Sequence, residues 1–117
     1  MRIVAGSHKG ARIFAPKGRG TRPTSDRVRE ALFQIVGSVE GMRVLDLFAG
    51  SGALGLEALS RGATTAVFVE SDRDAVRTIE RNVEKLGLAG ASIVRSDALS
   101  FLAADGGRYD VVFVDPP

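Results

Sequence analysis

The chain has 117 residues, of which 44% are hydrophobic and 26% charged, and this composition predicts one soluble globular domain. It contains no cysteine and one histidine, His8, which excludes a disulfide framework, an iron–sulfur cluster, a cysteine nucleophile and a thiolate or histidine metal site. No apolar run reaches the roughly 20 residues of a membrane span, and the first residues lack the apolar stretch of a secretory signal. We therefore expect a cytoplasmic protein without a membrane or metal partner.

The charges are distributed unevenly along the chain. Residues 1–29 hold eight basic residues and one acidic residue, whereas residues 30–117 hold eight basic and thirteen acidic ones. A basic segment on an acidic body favours a polyanionic partner, most often nucleic acid. Arginine outnumbers lysine 13 to 3 and suits bidentate contacts with phosphate. The alternative is a solvated basic tail.

Residues 1–22 are predicted to form a basic hairpin and linker. Residues 2–5 and 11–15 are short apolar runs separated by turn-prone residues, which favours a β-hairpin. Residues 16–23 are rich in proline and glycine, as is typical of an extended linker. A helix is then predicted from about Ser25 or Asp26 to Gly37. Its one apolar face is made of residues at helical spacing, namely Val28, Ala31, Leu32, Ile35 and Val36.

Strands alternate with helices from Arg43 onward, which predicts a doubly wound α/β sheet. The predicted strands are residues 44–48, 65–70, 91–95 and 109–114, and the predicted helices are 53–61, a segment capped by Ser71 that runs to about 86, and 97–104. The fourth strand is apolar enough for a central position in a parallel sheet. A sheet of only four strands would leave a bare edge at residues 111–114, which invites self-association. Because the chain stops just after this strand, we expect a C-terminal part of the domain of residues 23–117 to be missing.

A glycine loop follows the first predicted strand, in the run from Asp46 to Gly55. Gly50, Gly52 and Gly55 match the dinucleotide fingerprint, and Glu70 ends the next strand at a spacing that suits ribose hydroxyls. The helix after the loop offers free N–H groups. Together these features predict an adenosine-type cofactor site. Tight strand–helix packing with a surface glutamate is the alternative.

Two aspartates narrow the choice of cofactor. The Asp46 carboxylate would repel a pyrophosphate, but it suits the cationic ammonium and sulfonium groups of S-adenosylmethionine. Asp97 follows the third strand, where it can accept a hydrogen bond from an adenine amino group. For both residues a structural cap is the alternative.

The chain ends in Asp115-Pro116-Pro117. Two prolines remove two backbone donors and leave a carboxylate and carbonyls, which are all acceptors. Such a group can hold an amino group by its hydrogens and leave its lone pair aimed at an electrophile. A turn that ends the strand is the alternative.

Four motifs in order give the chain a resemblance to the bacterial 16S rRNA guanine-N2 methyltransferases, of the class that modifies guanine 966. The motifs lie in residues 2–12, 22–33, 45–62 and 113–117, so the resemblance covers essentially the whole chain. It implies a Rossmann-like class I methyltransferase fold with S-adenosylmethionine as cofactor. The implied partner is 16S rRNA, either within the small ribosomal subunit or in an assembly intermediate.

The resemblance also implies roles for individual residues. It assigns Asp115, Pro116 and Pro117 to the exocyclic amine of the target base. Cofactor contacts are implied for Thr24, Asp46, Phe48, Ala49, Gly50, Ser51, Gly52, Glu70, Ser71, Asp97 and Ala98. Contacts of the basic segment with rRNA are implied for Arg2, Lys9, Arg12, Lys17, Arg19 and Arg22.

The chain departs from the family pattern at its end. In the family an aromatic residue follows the two prolines and stacks on the target base, and further strands follow it. Their absence leaves open a cofactor- or RNA-binding module without activity. The sequence also leaves open an amino methyltransferase that acts on adenine N6 or protein glutamine, and an NAD-dependent dehydrogenase. The dehydrogenase explains neither Asp46 nor the Asp-Pro-Pro ending.

Overall fold

A computed structural model describes residues 1–16 and 24–116 of the chain. Three predicted RNA contacts, Lys17, Arg19 and Arg22, and the predicted catalytic residue Pro117 lie outside the described residues. The elements, in chain order, are α1 (Asp26–Val36), β1 (Arg43–Leu47), α2 (Ala53–Ser60), β2 (Thr65–Glu70), α3 (Arg73–Leu86), β3 (Ala91–Arg95), α4 (Ala98–Ala104) and β4 (Val111–Val114).

The four strands form one parallel sheet in the order β3-β2-β1-β4. A large apolar cluster lies on one face, where Phe33 of α1, Leu56 of α2 and Ile79 of α3 pack with Phe68 and Phe113 of the sheet. A smaller cluster on the opposite face joins Leu45, Leu47 and Val69 to α4. Helices therefore cover both faces, which confirms the predicted doubly wound α/β fold.

Strand β4 lies at the bare edge expected of a four-stranded sheet, although its sequence is apolar enough for a central strand. Within the described part of the chain β4 pairs with β1 alone, so it is an edge strand. Its alternate residues Val112 and Val114 remain 47% and 61% exposed, because α4 covers the sheet mainly at β1 and β2. The apolar sequence of β4 is therefore only half buried.

The predicted apolar face of α1 was wrong for four of its five residues, since Leu32 packs against the main core but the others are exposed. Val28 and Ile35 are 49% and 82% exposed, and the residues that α1 buries are Arg29 and Phe33. The helix is rotated from the predicted orientation because a carboxylate on α2, Glu57, lies beside the buried Arg29 guanidinium. An ion pair thus occupies the place that the apolar pattern assigned to aliphatic side chains.

The N-terminal hairpin is present in a short form. One antiparallel bridge joins Arg2 to Arg12, and the Ile13 N–H donates to the Met1 carbonyl over 2.8 Å. Ile3 and Ile13 are buried against the main core. The hairpin is therefore part of the domain rather than a detached tail.

The ends of the helices follow capping chemistry, with one correction. Helix α3 begins at Arg73 with Asp72 as its N-cap, so the predicted cap, Ser71, was wrong. Asp72 takes this position because its side chain accepts a hydrogen bond from the Ala75 N–H, while its own N–H donates to Glu70. Among residues 1–16 and 24–116, none of the helices has the length and apolar character to span a membrane.

Candidate active site

The glycine loop turns the chain sharply from β1 into α2. Phe48, Gly50 and Gly52 all have positive φ angles, of 58°, 59° and 82°, which favour glycine and leave Phe48 in a strained conformation. A Cβ at Gly55 would lie 2.3 Å from the Phe68 ring, so only glycine lets α2 lie this close to β2. The fingerprint glycines therefore have a packing role in addition to any role toward a ligand.

Asp46 is buried beside this loop, with 1% of its surface exposed. Its Oδ2 accepts a hydrogen bond from the Gly55 N–H over 3.0 Å. Burial raises the pKa of Asp46 to about 8, and the negative charges of Asp115 and Glu70 add to this, whereas the Gly55 hydrogen bond lowers it. A cation beside this carboxyl group would favour its ionised form.

Glu70 connects the loop to the start of α3. Its Oε1 accepts from the Gly50 N–H over 2.8 Å, and its Oε2 accepts from the Asp72 N–H over 2.9 Å. Each carboxylate oxygen has two acceptor sites, so Glu70 keeps acceptor capacity for ribose hydroxyls. The arrangement fits the predicted cofactor role, and the two hydrogen bonds also connect the glycine loop to the start of α3.

Asp115 lies at the same edge of the sheet. Leu47 of β1 pairs with both Val69 and Val114, so Phe48, Glu70 and Asp115, each one residue further on, come together where the strands end. Asp115 and Pro116 are exposed to solvent. The Thr24 hydroxyl donates to Asp115 Oδ2 over 2.7 Å, which places the predicted cofactor residue Thr24 directly on the predicted catalytic carboxylate.

The remaining predicted cofactor residues lie at the ends of β2 and β3. Asp97 is the N-cap of α4, and its Oδ1 accepts from the Ser100 N–H over 2.9 Å. The hydrogen bonds from Ser100 hold the pKa of Asp97 below its usual value. Ala98 opens α4, and Ser71 follows β2 with an exposed side chain. The structure shows the capping role of Asp97, and its adenine contact stays a prediction.

The sequence analysis did not predict the buried ion pair of Arg29 with Glu57. This pair is linked to the candidate site because Arg29 donates to the Thr24 carbonyl. Glu57 accepts hydrogen bonds from the N–H groups of Val4 and Ala5 over 2.8 and 3.0 Å. Arg29 donates to the carbonyls of Thr24 and Arg2 and to Asp26. One signal was present, since Glu57 is the single charged residue in the otherwise apolar helix α2.

The predicted basic RNA contacts that the structure describes lie on the hairpin. Arg2 and Arg12 face each other across its one bridge, and Lys9 lies in its exposed turn. The structure therefore gathers Arg2, Lys9 and Arg12 on one small element.

Comparison with known proteins gives the chain named relatives. It is 47% identical over 118 residues to "Ribosomal RNA small subunit methyltransferase D" of Escherichia coli K12. This alignment covers all of this chain and 60% of that protein. It is 38% identical over 122 residues to the Haemophilus influenzae protein of the same name, covering 100% of this chain and 63% of that one. The chain thus spans about three fifths of the length of these relatives.

Solved structures share the fold. A hypothetical protein from Thermus thermophilus superposes with a TM-score of 0.88 at 41% identity, covering 100% of this chain and 69% of that one. The C-terminal domain of precorrin-6Y C5,15-methyltransferase from Rhodobacter capsulatus superposes with a TM-score of 0.75 at 24% identity, over 89% of this chain and 54% of that one, and supports the class I methyltransferase fold alone. The family model described as "Conserved hypothetical protein 95" matches residues 1–117, and the chain belongs to that family.

Proposed function

We propose that this chain binds S-adenosylmethionine and is the cofactor-binding part of an enzyme that methylates the exocyclic N2 of a guanine in 16S rRNA. The observation that carries this proposal is the meeting of Asp46, Glu70 and Asp115 around the glycine loop, where Thr24 holds Asp115. The names of the relatives support an rRNA substrate, and such a role would place the protein in the cytoplasm.

The donor set fits this cofactor better than a dinucleotide. A neighbouring cation would stabilise the ionised form of a buried carboxyl group with a raised pKa, whereas a pyrophosphate would repel that form. When bound, S-adenosylmethionine supplies an activated methyl group on a cationic sulfur. The loop from Phe48 to Gly52 would enclose its methionine part, and Glu70 would accept hydrogen bonds from its ribose.

Asp115 would act on the amine of the target base. The lone pair of guanine N2 is delocalised into the ring, which makes it a poor nucleophile. Hydrogen bonds from N2–H to the Asp115 carboxylate and the Pro116 carbonyl favour a more tetrahedral nitrogen and stabilise its developing positive charge. The Thr24 hydroxyl, 2.7 Å from Asp115 Oδ2, fixes the direction of that carboxylate. The base must leave its stack to reach this group.

Calorimetric titration of the chain with S-adenosylhomocysteine, with NADH as the parallel ligand, tests the cofactor. We expect saturable binding of the first and none of the second, because the nicotinamide dinucleotide brings a pyrophosphate to Asp46. Binding of NADH alone would replace this proposal with the dehydrogenase, and binding of neither would overturn the cofactor site.

The product identifies the substrate. The complete enzyme that contains this chain is incubated with unmethylated 16S rRNA and labelled S-adenosylmethionine, and the RNA is digested to nucleosides. We expect the label in N2-methylguanosine, and its loss with Asp115→Asn at unchanged S-adenosylhomocysteine affinity. Label in N6-methyladenosine, or in the glutamine of a protein supplied in a parallel reaction, would assign a different amino methyltransferase activity. Bound cofactor without any labelled product would leave a binding module.

A further inference from the structure

A basic cleft lies between the hairpin and α3, outside the site described above. It has a volume of about 410 Å³, and its walls include Arg2, Arg12, Phe14, Asp26 and Lys85. Lys85 belongs to the last turn of α3 and is not among the residues that the sequence indicated as RNA contacts. The cleft therefore brings together cations from two elements, since Arg12 and Lys85 are 73 residues apart in the chain.

Two cations pack on the Phe14 ring, namely Lys85 of the cleft wall and Arg81 beside the cleft. The Arg81 guanidinium lies 4.2 Å and the Lys85 Nζ 4.8 Å from the ring centroid. Lys85 Nζ also donates to the Arg12 carbonyl over 2.9 Å. Cation–π contacts and a carbonyl hydrogen bond orient a cation without neutralising its charge, so Lys85 remains available to an anion.

The positive charge of the cleft is compensated only in part by the protein. Across residues 1–16 and 24–116, the ion pairs shorter than 4.0 Å involve only Arg2, Arg29 and Arg61 as cations. Asp26, the acidic wall residue, is already engaged with Arg29 at 2.9 Å and Arg2 at 3.9 Å. Arg12, Arg81 and Lys85 therefore present a surplus of positive charge that an anion would stabilise.

The cleft adjoins the candidate active site on two sides. Asp26 lines it, and Thr24, two residues earlier, donates to Asp115. On the other side the buried Asn82 side chain accepts from the Phe14 N–H, donates to the Phe14 carbonyl and donates to the Ser51 carbonyl of the glycine loop. The cleft is therefore linked to the candidate active site through the start of α1 and through Asn82.

We propose that the cleft binds the phosphate backbone of single-stranded RNA next to the target base, with Arg12 and Lys85 as the phosphate contacts. This inference rests on the proposed function, because it takes RNA as the substrate. A single strand is specified because the target base has to be unstacked. RNA is favoured over an acidic peptide because its backbone repeats an anion at every nucleotide, matching cations on two adjoining elements.

The experiment measures binding of a fluorescent single-stranded RNA by anisotropy at several salt concentrations. Arg12→Gln and Lys85→Gln are each expected to lower affinity severalfold and to flatten the slope of log K against log salt by about 0.7. The matched control is Arg73→Gln, which removes the same charge from the same helix about 18 Å from Lys85. This distance exceeds the screening length of about 10 Å at 0.1 M salt, so the control should bind like the parent chain.

The possible outcomes distinguish a failure of the RNA-binding cleft from a failure of the proposed function. S-adenosylhomocysteine affinity, measured on every variant, reports folding and the cofactor site, and it should not change. Bound cofactor with RNA affinity that is equal in Arg12→Gln, Lys85→Gln and Arg73→Gln would overturn the cleft alone. If poly-glutamate competes with RNA at an equal concentration of charge, this result would also overturn the RNA-binding cleft and would favour an acidic protein partner. A parent chain that does not bind S-adenosylhomocysteine would instead reject the proposed function.

Discussion

At the scale of single residues, Asp46 shows a conflict between stability and ligand binding. Burial raises its pKa to about 8, while the unfolded chain releases this proton at about pH 3.9. Between these two values the folded state holds a proton that the unfolded state lacks, so this group makes the free energy of unfolding fall as pH rises. The slope is up to about 1.4 kcal/mol per pH unit.

Asp46→Asn is expected to stabilise the chain and to weaken the cofactor site. The amide oxygen can still accept from the Gly55 N–H but never has to ionise in the core. Its free energy of unfolding, from urea titrations between pH 5 and pH 8, should therefore exceed that of the parent chain by an amount that grows with pH. S-adenosylhomocysteine affinity should fall, because the ligand ammonium loses its anionic partner.

Asp97→Asn is the control for this prediction. The pKa of Asp97 is lowered by its Ser100 hydrogen bonds, so its contribution to stability is present above the unfolded pKa and lost as pH falls through the folded pKa. The difference between this variant and the parent should not widen above pH 5. Parallel stability curves for Asp46→Asn and the parent chain would contradict the buried, protonated Asp46.

At the scale of elements, Glu57 joins α2 to α1 and to the hairpin. Its carboxylate accepts from two hairpin N–H groups and from Arg61, and it lies 3.5 Å from Arg29. Both side chains of the Arg29–Glu57 pair are fully buried. Such a pair adds little net stability, but removal of Glu57 leaves the buried Arg29 with Asp26 as its remaining carboxylate partner and leaves two hairpin N–H groups without their acceptor.

Glu57→Ala should therefore lower the free energy of unfolding by about 3–5 kcal/mol, measured by urea titration. Glu80→Ala, which removes an exposed glutamate from α3, should change it by less than about 0.5 kcal/mol. In a double-mutant cycle, Arg29→Met combined with Glu57→Ala should cost less than the sum of the two single substitutions. Additive costs would show that Arg29 and Glu57 do not depend on one another.

At the scale of the whole molecule, the sheet has a free apolar edge in the part of the chain that the structure describes. Strand β4 pairs there on one side only, and Val112 and Val114 are half exposed beside that edge. Unpaired backbone groups next to apolar side chains favour pairing with another chain. The chain is therefore expected to self-associate through β4 as its concentration rises.

Val112→Lys should shift this association to higher concentration, because a charged side chain on an edge strand opposes pairing. Sedimentation velocity over a concentration series measures the shift. Ile35→Lys is the control, since Ile35 is the more exposed residue, at 82%, and lies on α1 away from the edge. An effect of Ile35→Lys as large as that of Val112→Lys would move the contact from the sheet edge to the helix.

Sequence reasoning was accurate where one local signal dominates. Strand β2 and the end of α3 at Gly87 agree with prediction, because β-branched runs and a left-handed glycine act within a few residues. The rotation of α1 was not predictable in this way, since Glu57, the partner that allows Arg29 to be buried, belongs to a different helix. The Thr24–Asp115 contact likewise depends on a pairing between distant segments.

The Thr24–Asp115 hydrogen bond closes a loop of 91 residues. The cofactor side of the site is more local, since Asp46, the glycine loop and Glu70 belong to one strand–helix–strand unit. A chain emerging from the ribosome can complete that unit while Asp115 is still unsynthesised, because closure of the longer loop requires β4. Under the proposed function, the pocket for the methyl donor would thus be assembled before the group that receives the base, and the order of folding would follow the order in which the two halves of the site are encoded.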